Sequence, residues 1–160
     1  MRIIIYILFV SSLIFSSCSS NTIEGDWKLA SWSIGIAVDI NKDNVFNENF
    51  LEEVPCINKE TLSFNSNGTV TSLATFNPDI RIKKKNNDSR FLSEVICDTE
   101  GSIGFATTFE QNGADILING NRAIFKNTTL TIVYKNAQKI YNETETEIIE
   151  TKDVVKVYVR

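Results

Sequence analysis

From residue 25 onward, short β-prone runs alternate with turn residues, and no long window repeats its apolar positions at a helical spacing. The cleanest run is residues 128–134, where Leu130, Ile132 and Tyr134 fall on one face and Thr129, Thr131 and Val133 on the other. Residues 27–40 read as a first strand, with Gly35 as a bend or bulge, and residues 39–56 as a long loop with one helical turn near 49–53. Residues 60–65 and 69–76 flank Asn67-Gly68, a strong hairpin signal. Residues 80–84 and 90–97 flank a polar tip at 85–89, and residues 103–110 and 114–118 flank Asn112-Gly113. Asn119-Gly120-Asn121 turns the chain into residues 122–125. After 128–134 come residues 139–141, or a longer stretch to 149, and then 154–159, with Thr151-Lys152-Asp153 as their turn. The pattern predicts an all-β, antiparallel up-and-down meander of eight to ten strands. Such a sheet loses its exposed edges by closing into a barrel of about eight strands, and a two-sheet β-sandwich is the structural rival.

The N-terminus follows a different pattern. Met1-Arg2 precedes an apolar run at residues 3–15 and then Ser16, Ser17 and Cys18. A positive start, a short apolar stretch and a small-residue exit define a secretory signal, and the run is shorter than the roughly 20 residues a membrane span needs. Phe15-Ser16-Ser17-Cys18 resembles the lipobox of bacterial lipoproteins, with Phe15 where Leu is usual. The resemblance implies lipidation of Cys18, and acyl chains at about 0.8 kcal/mol per buried methylene give a lasting membrane anchor; ordinary cleavage is the other reading. The chain then divides into a signal at 1–17, a lipidated cysteine and tether at 18–24, and one β domain at 25–160.

Composition adds limits. The formal net charge is -4, with no concentrated basic surface, which gives no electrostatic reason to expect nucleic-acid binding. The one basic run, Arg81-Ile82-Lys83-Lys84-Lys85, reads as a solvated hairpin end. Hydrophobic content of 42% suffices for a core. With Cys18 taken by lipid, Cys56 and Cys97 are expected to pair in an exported domain, since a metal site is poorly supplied in a chain with no His and no third thiolate.

Gly25-Asp26-Trp27 resembles the Gly-x-Trp of the first lipocalin strand. The order of features is similar to that of lipocalin-like lipoproteins of Bacteroidetes-type bacteria. Gly25-Asp26-Trp27-Lys28-Leu29 is followed by Asp39-Ile40-Asn41-Lys42-Asp43, by the acidic stretch Glu52-Glu53-Val54-Pro55-Cys56, and by Leu62-Ser63-Phe64-Asn65-Ser66-Asn67-Gly68-Thr69. Gly101-Ser102-Ile103-Gly104-Phe105 stands where the family has a second Gly-x-Trp-like segment, without its Trp. The resemblance implies an eight-stranded barrel and says little about activity.

Residues 39–53 form the first site candidate. Asp39, Asn41 and Asp43 alternate as in the oxygen-rich start of a calcium loop, Val45 offers a carbonyl, and Asn47 falls at a ninth-position ligand. Asn44 replaces the usual glycine and Phe50 the closing Glu, so Glu48, Glu52 or Glu53 would have to close the site. The same residues are good turn formers, which leaves calcium, the one cofactor suggested, and a plain exposed loop both open.

The second candidate is the barrel interior. Trp27, Phe64, Phe76, Phe105, Phe109 and Phe125 lie on strands, where they line a pocket or fill a core, and Arg122 or Arg160 is placed to stack on Trp27. Catalysis is poorly supplied: there is no His and no nucleophile elbow, and Glu143 and Glu145 lie in an alternating Glu-Thr run that reads as the wet face of a strand. The leading expectation is a membrane-anchored binding module for a small hydrophobic ligand or lipid, with no enzymatic activity. The rival is a structural or interaction module with a filled core and an acidic, calcium-ordered loop. Ser19 after Cys18, in place of Asp, favours the outer membrane by analogy. With no dense acidic run after Cys18, the periplasmic face is favoured over the cell surface.

Overall fold

The computed structural model describes residues 22–86, 90–97 and 104–160. The signal segment, Cys18, residues 87–89 of the 85–89 tip and Gly101-Ser102-Ile103 lie outside the described residues. Ten strands follow one another: β1 (Gly25–Ser33), β2 (Thr61–Phe64), β3 (Thr69–Ser72), β4 (Asp79–Lys84), β5 (Phe91–Ile96), β6 (Phe105–Asn112), β7 (Asp115–Ile118), β8 (Asn121–Lys126), β9 (Thr129–Tyr141) and β10 (Ile148–Val159). Eight of them, β1-β2-β3-β6-β7-β8-β9-β10, pair in that order, and the pairing of β10 with β1 closes the ring. The protein is an antiparallel up-and-down β-barrel, as the sequence pattern predicts, and not a sandwich. The β4–β5 hairpin stands outside the ring and joins it through a short parallel pairing of Ile82 and Lys83 with Ile140 and Tyr141.

The turns at Asn67-Gly68, Asn112-Gly113 and Asn119-Gly120 form where the sequence places them. Gly68 and Gly113 take positive φ, a conformation open to glycine because it has no Cβ. The expected strand at 27–40 ends earlier, at Ser33, and a 3-10 turn (Phe50–Glu52) forms within the predicted helical stretch. Asn49 caps this turn, its Oδ1 accepting from Leu51 N at 3.3 Å and from Trp32 N at 3.0 Å.

One expectation fails at the C-terminal end. Thr151-Lys152-Asp153 is not a turn but lies inside the long β10, and β9 runs unbroken through Tyr134 to Tyr141. The two strands form a ribbon that extends past the ring, with a register shift between Lys152 and Val154. Asn136 takes a φ of 52° at this bulge. Asp153 braces it, accepting from Asn136 N at 3.0 Å and from Lys135 Nζ at 2.6 Å. The turn residues in the sequence therefore serve a bulge. The real reversal occupies residues 142–147, so the Glu143–Glu147 run is a connection rather than the wet face of a strand. There the side-chain oxygen of Asn142 accepts from Thr146 N and Glu147 N.

The core is one cluster filled largely by alternate strand positions, among them Trp27, Leu62, Val70, Ile116, Leu130, Ile132 and Tyr158. Ile23, expected in the tether, belongs to it as well, and its carbonyl accepts from Trp27 Nε1 at 2.7 Å. The basic run is half internal: Ile82 is fully buried, while Lys83 pairs with Glu94 and Glu145.

Candidate functional site

The two ends of the barrel differ. One is closed by aromatic packing: Trp27 meets Phe125 edge-on at 5.5 Å between ring centres, and Phe64 meets Phe109 at 5.0 Å. Arg160, rather than Arg122, covers Trp27, with its guanidinium carbon 4.5 Å from the ring centre. Arg122 pairs instead with Asp115 at 2.7 Å on the outer surface.

The other end opens into a cavity of about 930 Å³. Its walls come from the barrel, the 75–79 connection, β4 and the overhanging β9–β10 ribbon. This is within the size range of small-molecule sites, roughly 300–1,000 Å³. Phe76 and Phe105 line it, as the sequence allows, whereas Trp27, Phe64, Phe109 and Phe125 do not. The last four serve the packed end.

A charged cluster that strand alternation alone does not advertise as a site forms the cavity floor. Glu60 enters from the residue before β2 and is buried. Its Oε2 accepts from Lys156 Nζ at 2.9 Å and from Phe76 N at 3.0 Å, and its Oε1 accepts from Tyr158 Oη at 2.6 Å. Lys156 also donates to Phe76 O at 3.3 Å. Burying a carboxylate and an ammonium is costly unless they pair and their remaining hydrogen-bonding groups are met. Four bonds around the two ions meet both carboxylate oxygens and two of the three ammonium donors.

Trp32 completes the floor because β1 carries a bulge between Leu29 and Ser31. Trp27 and Leu29 face inward at odd positions, and the extra residue turns Trp32 inward at an even one. Asn58 Nδ2 holds the bulge by donating to Leu29 O at 3.0 Å. Trp32 then lies directly across from Lys156 in the β1–β10 pairing, and the ammonium sits 5.4 Å from its ring centre. Phe76 packs edge-on against Trp32, 5.7 Å between ring centres.

Tyr134, on β9, lines the same cavity. Burial pushes its phenol up to about 12, with the charge of Glu60 adding to the effect. Tyr158 is raised for the same reasons in the same order, so both phenols stay protonated at neutral pH. Gln138 fastens the ribbon to the outer hairpin, its Nε2 donating to Ile80 O at 3.1 Å.

Cys56 and Cys97 form the expected disulfide, which ties the segment before β2 to the end of β5. The outer hairpin is thereby fixed on a second side, and Ser93 Oγ adds a bond to Asp39 O at 3.4 Å.

The 39–53 loop is arranged differently from an ion cage. Asp39 accepts from Asp43 N at 3.0 Å and from Asn44 N at 3.1 Å, and Asp43 accepts from Val45 N at 2.7 Å. Asn41 bonds to Asp43 through both its amide nitrogen and its oxygen. Glu53 turns inward to Ile40 N at 3.1 Å, while Glu48 and Glu52 are exposed. Val45 is exposed, and Asn47 pairs its backbone with Val38. Among the described residues, no three Asp, Glu or Cys side chains come together in a group suited to a metal ion.

No protein-family model, curated protein or solved structure matches this chain.

Proposed function

We propose that this protein is a membrane-anchored envelope lipoprotein whose β-barrel binds a small amphipathic molecule in the open-end cavity. The observation that carries the reading is the combination of a roughly 930 Å³ opening with the buried Glu60–Lys156–Tyr158 cluster at its floor. A solid barrel has no need of an ion pair inside it, since apolar residues of similar volume are as stable or more so. Polar groups placed among aromatic walls orient a ligand. The anchor rests on the Phe15-Ser16-Ser17-Cys18 sequence; Ser19 in place of Asp supports the outer membrane, and the lack of a dense acidic run after Cys18 supports its periplasmic face.

Two tryptophans at opposite ends give a direct test. Trp32 lies in the cavity wall and Trp27 in the packed end. Native mass spectra of protein purified from its envelope should show a co-purified organic mass. Adding that compound back should change the fluorescence of the Trp27→Phe variant and leave Trp32→Phe silent. Equal responses in both variants would place binding elsewhere. For the anchor, incorporation of a labelled fatty acid should vanish in Cys18→Ser.

A second reading has its own observation. Ile57 and Ile96, 79% and 62% exposed, each adjoin one cysteine of the disulfide and mark an apolar surface of the kind used by interaction modules. It predicts a protein partner lost in the Ile57→Ser, Ile96→Ser double variant, with cavity binding intact.

A further inference from the structure

Resting on the cavity as the binding site, we infer that its ligand is an uncharged amphiphile, whose hydrogen-bond acceptor meets Lys156 while its apolar body lies against Trp32, Phe76 and Tyr134. The first ground is the count of donors. An ammonium has three N–H groups. One goes to Glu60 and one to Phe76 O, so among the described residues a third is unmatched on a side chain that lines the cavity. Glu60, by contrast, is committed to the protein through Lys156, Tyr158 and Phe76 N. Within the ion pair, a ligand therefore finds a donor on Lys156 and no uncommitted oxygen on Glu60.

The second ground is charge. The cavity is lined by three acids, Glu60, Asp79 and Glu145, and three bases, Arg81, Lys139 and Lys156, for a balance of 3 − 3 = 0. At the rim, Arg81 lies between Asp79 at 3.5 Å and Glu145 at 3.9 Å. At the floor, a ligand carboxylate drawn to Lys156 would stand beside Glu60, whose charge already answers that ammonium. Attraction and repulsion then nearly cancel, and the loss of the ligand's hydration is left uncompensated. A ligand cation meets the same balance in reverse. A carbonyl, amide or hydroxyl oxygen needs one N–H and carries little such cost.

The test uses four probes that share an eight-carbon chain: octanamide, 1-octanol, octanoate and octylammonium, titrated calorimetrically at neutral pH into the purified protein. Octanamide and 1-octanol should bind about tenfold or more tightly than either ion. In the Glu60→Gln, Lys156→Met double variant, which removes both charges together, octanamide should lose about tenfold, the value of one hydrogen bond to a charged donor. Arg122→Gln, on the outer surface and away from the cavity, should preserve the preference for neutral probes. Tightest binding by octanoate or octylammonium would overturn the charge argument while leaving the cavity as the site. Silence from all four probes would overturn both.

Discussion

The guanidinium of Arg160 covers Trp27, its carbon 4.5 Å from the ring centre, while its Nη2 shares its two N–H groups among the carbonyls of Thr22, Ile23 and Glu24. One side chain at the end of β10 thus caps the barrel and fastens the chain that enters it. Lysine has neither the planar fork nor the same stacking on an indole. Arg160→Ala should lower unfolding stability by about 2–4 kcal/mol, the sum of a cation–π contact of about 0.5–1 kcal/mol and a charged hydrogen bond of about 1.5–3 kcal/mol. Arg160→Lys should recover less than half of this in urea melts. Full recovery by Lys would show that charge alone matters.

Glu60 and Lys156 are expected to behave as a unit. Removing one partner leaves a buried ion without its counter-charge, so Lys156→Met or Glu60→Leu alone should cost about 3–5 kcal/mol. The double variant should be far less damaging than the sum, giving a large coupling energy in a double-mutant cycle. Additive losses would mean that the ions are solvated separately.

The meander and its hairpins were legible because turn dipeptides and period-two alternation are local signals. Gly68 and Gly113 stand where positive φ is needed, and Leu130 and Ile132 face inward as their spacing requires. The site was less legible because bulges reset the alternation. Strict alternation from Trp27 turns Trp32 outward, and the extra residue near Ala30 brings it in. The bulge at Asn136 hides the continuity of β9, so its bracing residue Asp153 reads as part of a turn. Lys156 did carry a signal: it shares the inward phase of Val154 and Tyr158, and a charge in that position announces a buried partner. Its partner, Glu60, lies 96 residues away, a separation no local pattern reports.

The disulfide should matter chiefly to the outer hairpin. Its two cysteines are 41 residues apart, and the chain-entropy model gives about 4 kcal/mol for closing such a loop. The Cys56→Ser, Cys97→Ser double variant should therefore melt well below the parent and match the parent after reduction. Hydrogen exchange should rise first in β4 and β5, whose backbone joins the ring through a short pairing with β9. A uniform rise across all strands would indicate that the hairpin and barrel open together.

Alkali should destabilise the fold through its buried phenols. An unfolded chain ionises tyrosine near pH 10, whereas Tyr134 is pushed up to about 12 and Tyr158 is also raised, burial being the main cause in each. Between these values the unfolded chain releases protons that the folded one retains. Stability is thus fully present below about pH 10 and falls as the pH climbs towards 12. Tyr134→Phe should flatten part of that decline in pH-dependent denaturant melts. An unchanged slope would show that Tyr134 ionises freely in the folded state.

The acidic loop provides the last test, and its bonds set the expectation. The carboxylate of Asp39 is occupied by the amides of Asp43 and Asn44, and that of Asp43 by the amide of Val45. These bonds brace the loop without an ion, as Asp and Asn do in tight turns. Asp39→Ala should therefore cost about 1–2 kcal/mol, and by the same amount in calcium and in chelator. Asp43→Asn, which keeps an oxygen for the Val45 amide, should be milder. A melting temperature that rises with calcium in the parent and not in Asp39→Ala would show instead that these carboxylates leave their amides for an ion. In that case Glu48→Gln and Glu52→Gln would identify the closing ligand, since each is exposed and free to swing.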